Sequence, residues 1–185
     1  QNTHVEWCGR MVVAPKADGS PRLTVDLQEL GKATLRDTHY TPTPFSIVST
    51  TPANKLKTVL DAWNGYHSLK IAERAQKFFN FLTQYGRYRY KRAPMGYHAS
   101  GDAYVRRFDD ITREFDDVAR CVDDSLLWDD DVESAFWHTF HYLKHCSDNG
   151  IIFNVSKFVF AMEEYEFAGF AGGPIFGGCD NGVKI

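Results

Sequence analysis

The stretch Arg120-Cys121-Val122-Asp123-Asp124-Ser125-Leu126-Leu127-Trp128 sets two adjacent carboxylates between short apolar runs. Such a pattern predicts a β-hairpin with both acids at its tip. Neighbouring carboxylates repel, and each has its pKa raised unless a cation or a basic partner holds both ionised. A divalent metal is the economical explanation for the pair. A plainer reading competes with it, because Asp102, Asp109, Asp116 and Asp123 recur every seven residues, as on one solvated helix face. Tyr104, Phe108, Ile111, Phe115 and Val118 supply the apolar positions of a helix expected over 100–119, with Asp109-Asp110 and Asp116-Asp117 on its wet side. That series ends before Asp123, and residues 125–128 read as strand.

A second acid ends a short β-branched run, Lys57-Thr58-Val59-Leu60-Asp61, followed by Ala62-Trp63-Asn64-Gly65-Tyr66. An acid at one strand's end can face an acidic hairpin on a neighbouring strand. Together these motifs resemble the palm of reverse transcriptases, in particular those of gypsy-type LTR retrotransposons, with Asp61 in the first catalytic motif and residues 121–124 in the YxDD box. The resemblance runs over 7–170. It implies an α+β, right-hand polymerase fold: fingers at 1–35 and 69–99, palm at 36–68 and 100–173 with an antiparallel sheet backed by helices, and a Gly-rich tail at 174–185, the thumb being absent. It also implies an RNA-directed DNA polymerase in which Asp61 and Asp123 bind two Mg²⁺ ions, Mn²⁺ being an alternative, while Asp124 completes the acidic cluster with a smaller or indirect share of metal binding. Hard carboxylate oxygens suit such ions, which share their coordination sphere with substrate phosphates.

Composition permits this chemistry. A chain of 185 residues, 43% hydrophobic and 15% aromatic, can bury a sizeable core. Its four cysteines, Cys8, Cys121, Cys146 and Cys179, form no CxxC pair, so neither a zinc knuckle nor a disulfide framework is expected, and a reducing intracellular setting fits. No apolar run approaches the ~20 residues of a membrane span. The formal charge of −3 is unlike that of a generic nucleic-acid binder. Charge is zoned instead, with Arg87, Arg89, Lys91 and Arg92 in one segment, Arg106, Arg107 and Arg113 in another, and acids concentrated over 109–131. Separate basic and acidic zones suit an enzyme that holds phosphates beside a metal.

Along the chain, apolar runs at 11–15 and 22–27 flank Ala17-Asp18-Gly19-Ser20-Pro21 and predict a hairpin with Lys16 and Arg22 at its tip. The resemblance makes these the cations that grip an incoming dNTP, with Arg22 the safer match. Residues 37–50 carry two prolines and no periodicity, so a connecting segment is expected. A short helix should follow Asp61, and then two strands over 77–82 and 88–92, the second alternating aromatic and basic residues. Such a strand either meets nucleic acid or simply solvates its basic face. Ala93-Pro94-Met95-Gly96-Tyr97 is a turn; in the family it closes on the nascent base pair, Met95 suits the gypsy-type branch, and Gly96 leaves room for nucleotide or nucleic acid. The family likewise makes Tyr66 the aromatic that excludes a ribose 2′-hydroxyl, and Lys157 an aid to pyrophosphate departure. Phe167 and Gly169 fall in the primer-grip hairpin, and Cys121 takes the place of a tyrosine that reaches the primer-template, so that its primer contact should be partly lost.

Phe136, Phe140 and Leu143 indicate a helix over 132–146 that stops at Asn149-Gly150. His138, His141 and His145 share one side of it; a zinc site lacks an evident fourth ligand, so a solvated face is expected. The partners implied are an RNA or DNA template with primer, dNTP, and the remaining polyprotein domains (thumb, connection, RNase H), with no membrane. The expected location is intracellular, in a cytoplasmic virus-like particle or in the nucleus. Cys121, Gly31 and Ala168 replace the usual Tyr, Asn and Leu. They motivate an alternative, a non-catalytic nucleic-acid-binding module of a degenerate or domesticated element, while a metal-dependent nuclease is a weaker third reading.

Overall fold

The computed structural model describes residues 7–15, 19–63, 65–173 and 183–184. In chain order the elements are β1 (Gly9–Pro15), β2 (Pro21–Asp26), α1 (Gln28–Lys32), α2 (Pro44–Thr50), β3 (Leu56–Asp61), α3 (Glu73–Gln76), β4 (Asn80–Thr83) and β5 (Gly86–Arg89). After these come α4 (His98–Thr112), β6 (Val118–Cys121), β7 (Asp124–Asp129), α5 (Val132–Asp148), β8 (Val159–Met162), β9 (Tyr165–Phe167), β10 (Phe170–Gly172) and β11 (Val183–Lys184). The chain divides into two compact units, residues 1–39 with 66–104 and residues 40–65 with 105–185. No helix among the described residues is long and apolar enough to cross a membrane.

In the first unit a four-stranded sheet has the order β2-β1-β4-β5. β1 and β2 form the expected hairpin, pairing from Arg10↔Asp26 to Pro15↔Pro21, and β4 and β5 form a second one. Its core gathers Val25, Leu27, Leu30 and Phe79, with Phe78, Phe81, Tyr90 and Tyr97 packed around them. Gly96 has φ +89, a conformation costly for any side chain. A Cβ there would also stand 2.8 Å from the Val25 carbonyl oxygen and 3.2 Å from Thr24 Oγ1. The missing side chain is therefore required by the close approach of β2, a constraint internal to this unit.

The second unit is built on a sheet ordered β6-β7-β3-β8, antiparallel throughout. β3 is its centre: Lys57, Thr58, Val59 and Leu60 are all buried. A charge in that row survives because the Lys57 ammonium donates to the carbonyls of Pro52, Ala53 and Lys55. One side of the sheet carries Ile47, Val59, Cys121, Leu126, Tyr165 and Phe167. The other carries Phe108 of α4 and Tyr142 of α5, each 0% exposed. Full burial of such side chains stabilises the fold by about 1.5–3 kcal/mol each.

Four expectations change. α4 ends at Thr112 rather than near 119, since Val118 to Cys121 are taken up as β6 and Asp117 turns the chain at φ 54. Asp116 and Asp117 are thus turn residues, and Asp117 accepts from the Trp128 indole at 2.7 Å. The supposed connecting segment contains α2, started by Thr43, whose hydroxyl accepts from the Ser46 amide. Hydroxyls of Ser49, Thr50 and Thr51 bond back to helix carbonyls, which is why no apolar period marks it. On α5 the buried face is Ala135, Thr139, Tyr142 and Cys146, while Phe136 and Phe140 are about half exposed. Finally, His138 and His145 are not a solvated face: the first bonds Asp129 at 3.0 Å, the second pairs with Glu114 at 2.9 Å, and both lie against the Phe115 ring.

Candidate active site

The hairpin β6–β7 closes tightly, because Cys121 pairs directly with Asp124 and leaves only Val122 and Asp123 in the turn. Val122 has φ 56, an unusual state for a β-branched residue and one that proteins retain where the surroundings over-determine it. Of the two acids only Asp123 is therefore at the tip. Asp124 is the first residue of β7, and the register Asp61↔Asp124 places the end of β3 directly opposite it. The Ala62 amide donates to the Asp123 carbonyl at 2.8 Å, and the Asn154 amide to the Asp61 carbonyl at 2.8 Å, so the strand end is fixed on both sides.

Lys157 enters from a 3-10 turn, Val155–Lys157, capped by the Asn154 side chain, which accepts from the Ser156 amide. Its ammonium lies 2.8 Å from Asp61 Oδ2. The Asp61, Asp124 and Asp123 carboxylates all push the Lys157 pKa upward, the hydrogen bond to Asp61 contributing most. Asp124 is pushed up to about 6, first by burial and then by the charge of Asp61, with Asp123 adding to it and Lys157 opposing. The three acids and the lysine thus form one electrostatic cluster. Asp61, Asp124 and Lys157 line a cleft of about 370 Å³ with Glu166, Ala168 and Gly169. The last two form the tight turn between β9 and β10, with φ 49 and 81.

Among the described residues, no three His, Cys, Asp or Glu side chains stand in an arrangement that would hold an ion. The donor set nevertheless has the right chemistry for a hard divalent cation: anionic oxygens that repel one another, with a lysine ammonium as the cation now bonded to one of them. Asp123 Oδ1 is itself buried.

The other residues singled out by sequence are placed variously. Phe167 is fully buried and packs in the core beneath the sheet, so it offers nothing to a primer directly. Cys121 is 8% exposed, packs in the same core and turns its thiol to the Pro42 carbonyl, while burial pushes its pKa up. Arg22 is exposed on β2 opposite Ala14, and Lys16 lies outside the described residues. Met95 is half-buried beside the exposed Gly96. Tyr66, on the 3-10 turn Gly65–Ser68, sets its ring edge-on to Tyr104 at 5.6 Å and passes over Gly101. Glu166 in the cleft escaped sequence reading, although alternation in Tyr165-Glu166-Phe167 marks it as the outward residue of a strand.

Residues 14–171 match the family described as reverse transcriptase (RNA-dependent DNA polymerase). The chain belongs to the reverse transcriptase family. Among curated relatives it is 30% identical over 97 residues to the retrovirus-related Pol polyprotein from transposon gypsy of Drosophila melanogaster, covering 51% of this chain and 9% of that one. It is 23% identical over 157 residues to the enzymatic polyprotein of Cauliflower mosaic virus (strain CM-1841), covering 84% of this chain and 23% of that one. The matched relatives are thus far longer. Solved reverse transcriptases share the fold: native prototype foamy virus protease-reverse transcriptase aligns with a TM-score of 0.83 at 23% identity, over 92% of this chain and 23% of that one. The foamy viral protein in complex with dsDNA aligns at 0.87 and 19% identity, over 94% and 36%. Membership of the reverse transcriptase family accounts for these likenesses and for the antiparallel sheet of the second unit.

Proposed function

We propose that this domain catalyses RNA-directed DNA synthesis, transferring a nucleotidyl group from dNTP to a primer 3′-hydroxyl as part of a longer retroelement polyprotein. One observation carries the reading: Asp61 and Asp124 face each other in register at the end of a family-matched sheet, with Asp123 in the adjoining turn. Asp61, Asp123 and Asp124 would hold the divalent ions, Mg²⁺ in the first instance. When bound, such ions activate the attacking hydroxyl and stabilise the leaving pyrophosphate. Lys157, mostly exposed, exchanges its bond to Asp61 for one to phosphate once the carboxylates are neutralised. In the other unit, Arg22 and Lys16 grip the triphosphate, Tyr66 excludes the ribose 2′-hydroxyl, and Met95 with Gly96 borders the nascent pair. Gly169, in the turn that follows the buried Phe167, supports the primer, and the inward-turned thiol of Cys121 leaves that residue a packing role. A foamy viral protease-reverse transcriptase has been solved in complex with RNA/DNA hybrid, which supports a primed template as partner here.

Primer extension on RNA and DNA templates tests this. Asp61→Asn and Asp124→Asn should each lower turnover by roughly 10³-fold, the size expected when several kcal/mol of metal-borne stabilisation is lost. Unprimed degradation without dNTP would point to a nuclease instead. A non-catalytic module is favoured by the Lys157–Asp61 ion pair, which occupies a metal ligand; template binding with no extension in Mg²⁺ or Mn²⁺ would establish it.

A further inference from the structure

The two faces of the hairpin differ in a way the metal chemistry does not use. Residues directly opposite in an antiparallel pair share a face. Cys121, Asp124 and Asp61 form one row; Arg120, Ser125 and Leu60 form the adjacent row on the opposite face. That second row points into a layer of Phe108, Leu127 and Tyr142, all 0% exposed. An arginine and a serine inside it are anomalous. Arg120, 8% exposed, bonds Asp109 of α4 through Nη2 at 2.5 Å and Nε at 3.2 Å, and its guanidinium lies 3.6 Å over the Phe108 ring. Ser125, 0% exposed, shares a 2.8 Å hydrogen bond with the Tyr142 hydroxyl of α5. Burial pushes the pKa of Tyr142 up, and that of Cys146 up to about 12, so both stay protonated with Arg120 the charge among them.

Stability alone does not call for this set, since buried charged or polar groups can often be replaced by apolar ones of similar volume without loss. Directional bonds do what apolar packing cannot: they fix one position along the strand. Arg120 precedes Cys121 and Ser125 follows Asp124, so the two bonds bracket the strained turn that carries Asp123.

We propose that Arg120 with Asp109, and Ser125 with Tyr142, are positioning residues that clamp the hairpin to α4 and α5 and thereby set the spacing of the metal-binding carboxylates. This rests on the polymerase reading for its consequence in catalysis, but not for its consequence in metal affinity.

The test uses the 185-residue chain carrying Tyr142→Phe, Ser125→Ala, both together, Arg120→Met and Arg120→Lys. Three quantities are read: Mn²⁺ affinity by paramagnetic resonance, the melting temperature, and primer extension as kcat, primer-template KM and the Mg²⁺ concentration for half activity. Tyr142→Phe should weaken Mn²⁺ binding and raise the Mg²⁺ requirement by about 3–10-fold, the effect of one lost hydrogen bond, with primer-template KM unchanged. The double variant should match either single one, because one bond is lost in each case. Arg120→Lys should recover part of the metal affinity lost in Arg120→Met. A fall in melting temperature with unchanged Mn²⁺ affinity and Mg²⁺ requirement would overturn the proposal, as would additive effects in the double variant. If the parent binds Mn²⁺ yet extends no primer, the polymerase reading fails, and Mn²⁺ affinity of the variants alone decides for or against the clamp. A parent that binds no Mn²⁺ overturns both.

Discussion

At the scale of the residue, Cys121 shows how burial redirects an expectation. Its thiol packs among Ile47, Val59, Leu126, Tyr165 and Phe167, so a phenol there has no room without displacement. Cys121→Tyr should destabilise by about 1–3 kcal/mol, as overpacking does, and should bring no improvement in primer-template KM. A thermal melt paired with steady-state extension checks this; a lower KM at unchanged stability would return the residue to the primer. Asp124 carries a pH dependence of definite sign. Its carboxyl in the metal-free fold titrates near 6, above the unfolded value of 3.8, so the folded state binds its proton more tightly than the unfolded one. That contribution is fully present below pH 3.8 and is lost as pH rises through 6. Asp124→Asn should therefore raise metal-free stability by about 1–2 kcal/mol at pH 7.5, after allowance for solvent screening, and by nothing near pH 3.5. Denaturant melts at the two pH values read the difference. Tyr66→Ala should relax dNTP over NTP discrimination in extension assays, whereas equal ratios in variant and parent would make the ring a packing partner of Tyr104 only.

At the scale of the element, α5 is held in register by its first turn. Asp131 accepts from the Ser134 amide at 2.8 Å, and Ser134 answers with a bond from the Asp131 amide. Asp131→Ala should lower global stability by about 1 kcal/mol, readable as a shift in denaturant midpoint at constant slope. The same helix shows where periodicity misleads. Phe136, Phe140 and Leu143 do mark a helix, yet the residues it buries are Ala135, Thr139, Tyr142 and Cys146. Tyr142 can lie on that face because Ser125 of the sheet gives its hydroxyl a hydrogen-bond partner. α4 misleads in length, since Phe115 and Val118 continue its apolar spacing after Thr112 while the backbone has already turned. Strand pairing with β7 outweighs a local helical pattern there.

At the scale of the whole molecule, zoned charge governs how a net −3 chain would meet nucleic acid. Arg87, Arg89, Lys91 and Arg92 are exposed in the first unit, and the carboxylate cluster belongs to the second. The logarithm of the affinity for a labelled primer-template should fall linearly with log salt between 50 and 200 mM, by about tenfold or more in affinity if at least two phosphates are neutralised. Binding insensitive to salt in fluorescence anisotropy would remove those arginines from the interface.

The sequence by itself determined the acidic hairpin, the aspartate-ended strand, the first hairpin of the first unit and, through their combination, the family; the next two strands, expected over 77–82 and 88–92, are Asn80–Thr83 and Gly86–Arg89. Those features are local: alternation, turn residues and strand length are set within a few neighbours. Only the tertiary structure decided that Asp61 stands opposite Asp124, that Gly96 is required by β2, that Lys157 reaches Asp61 across 96 residues of sequence, and that Cys121 and Phe167 face inward. Nor could a one-dimensional pattern reveal that Arg120 and Ser125 share the hidden face of the hairpin, because the face of a strand is set by register with partners distant in the chain, and a shift of one residue would have exchanged the two faces.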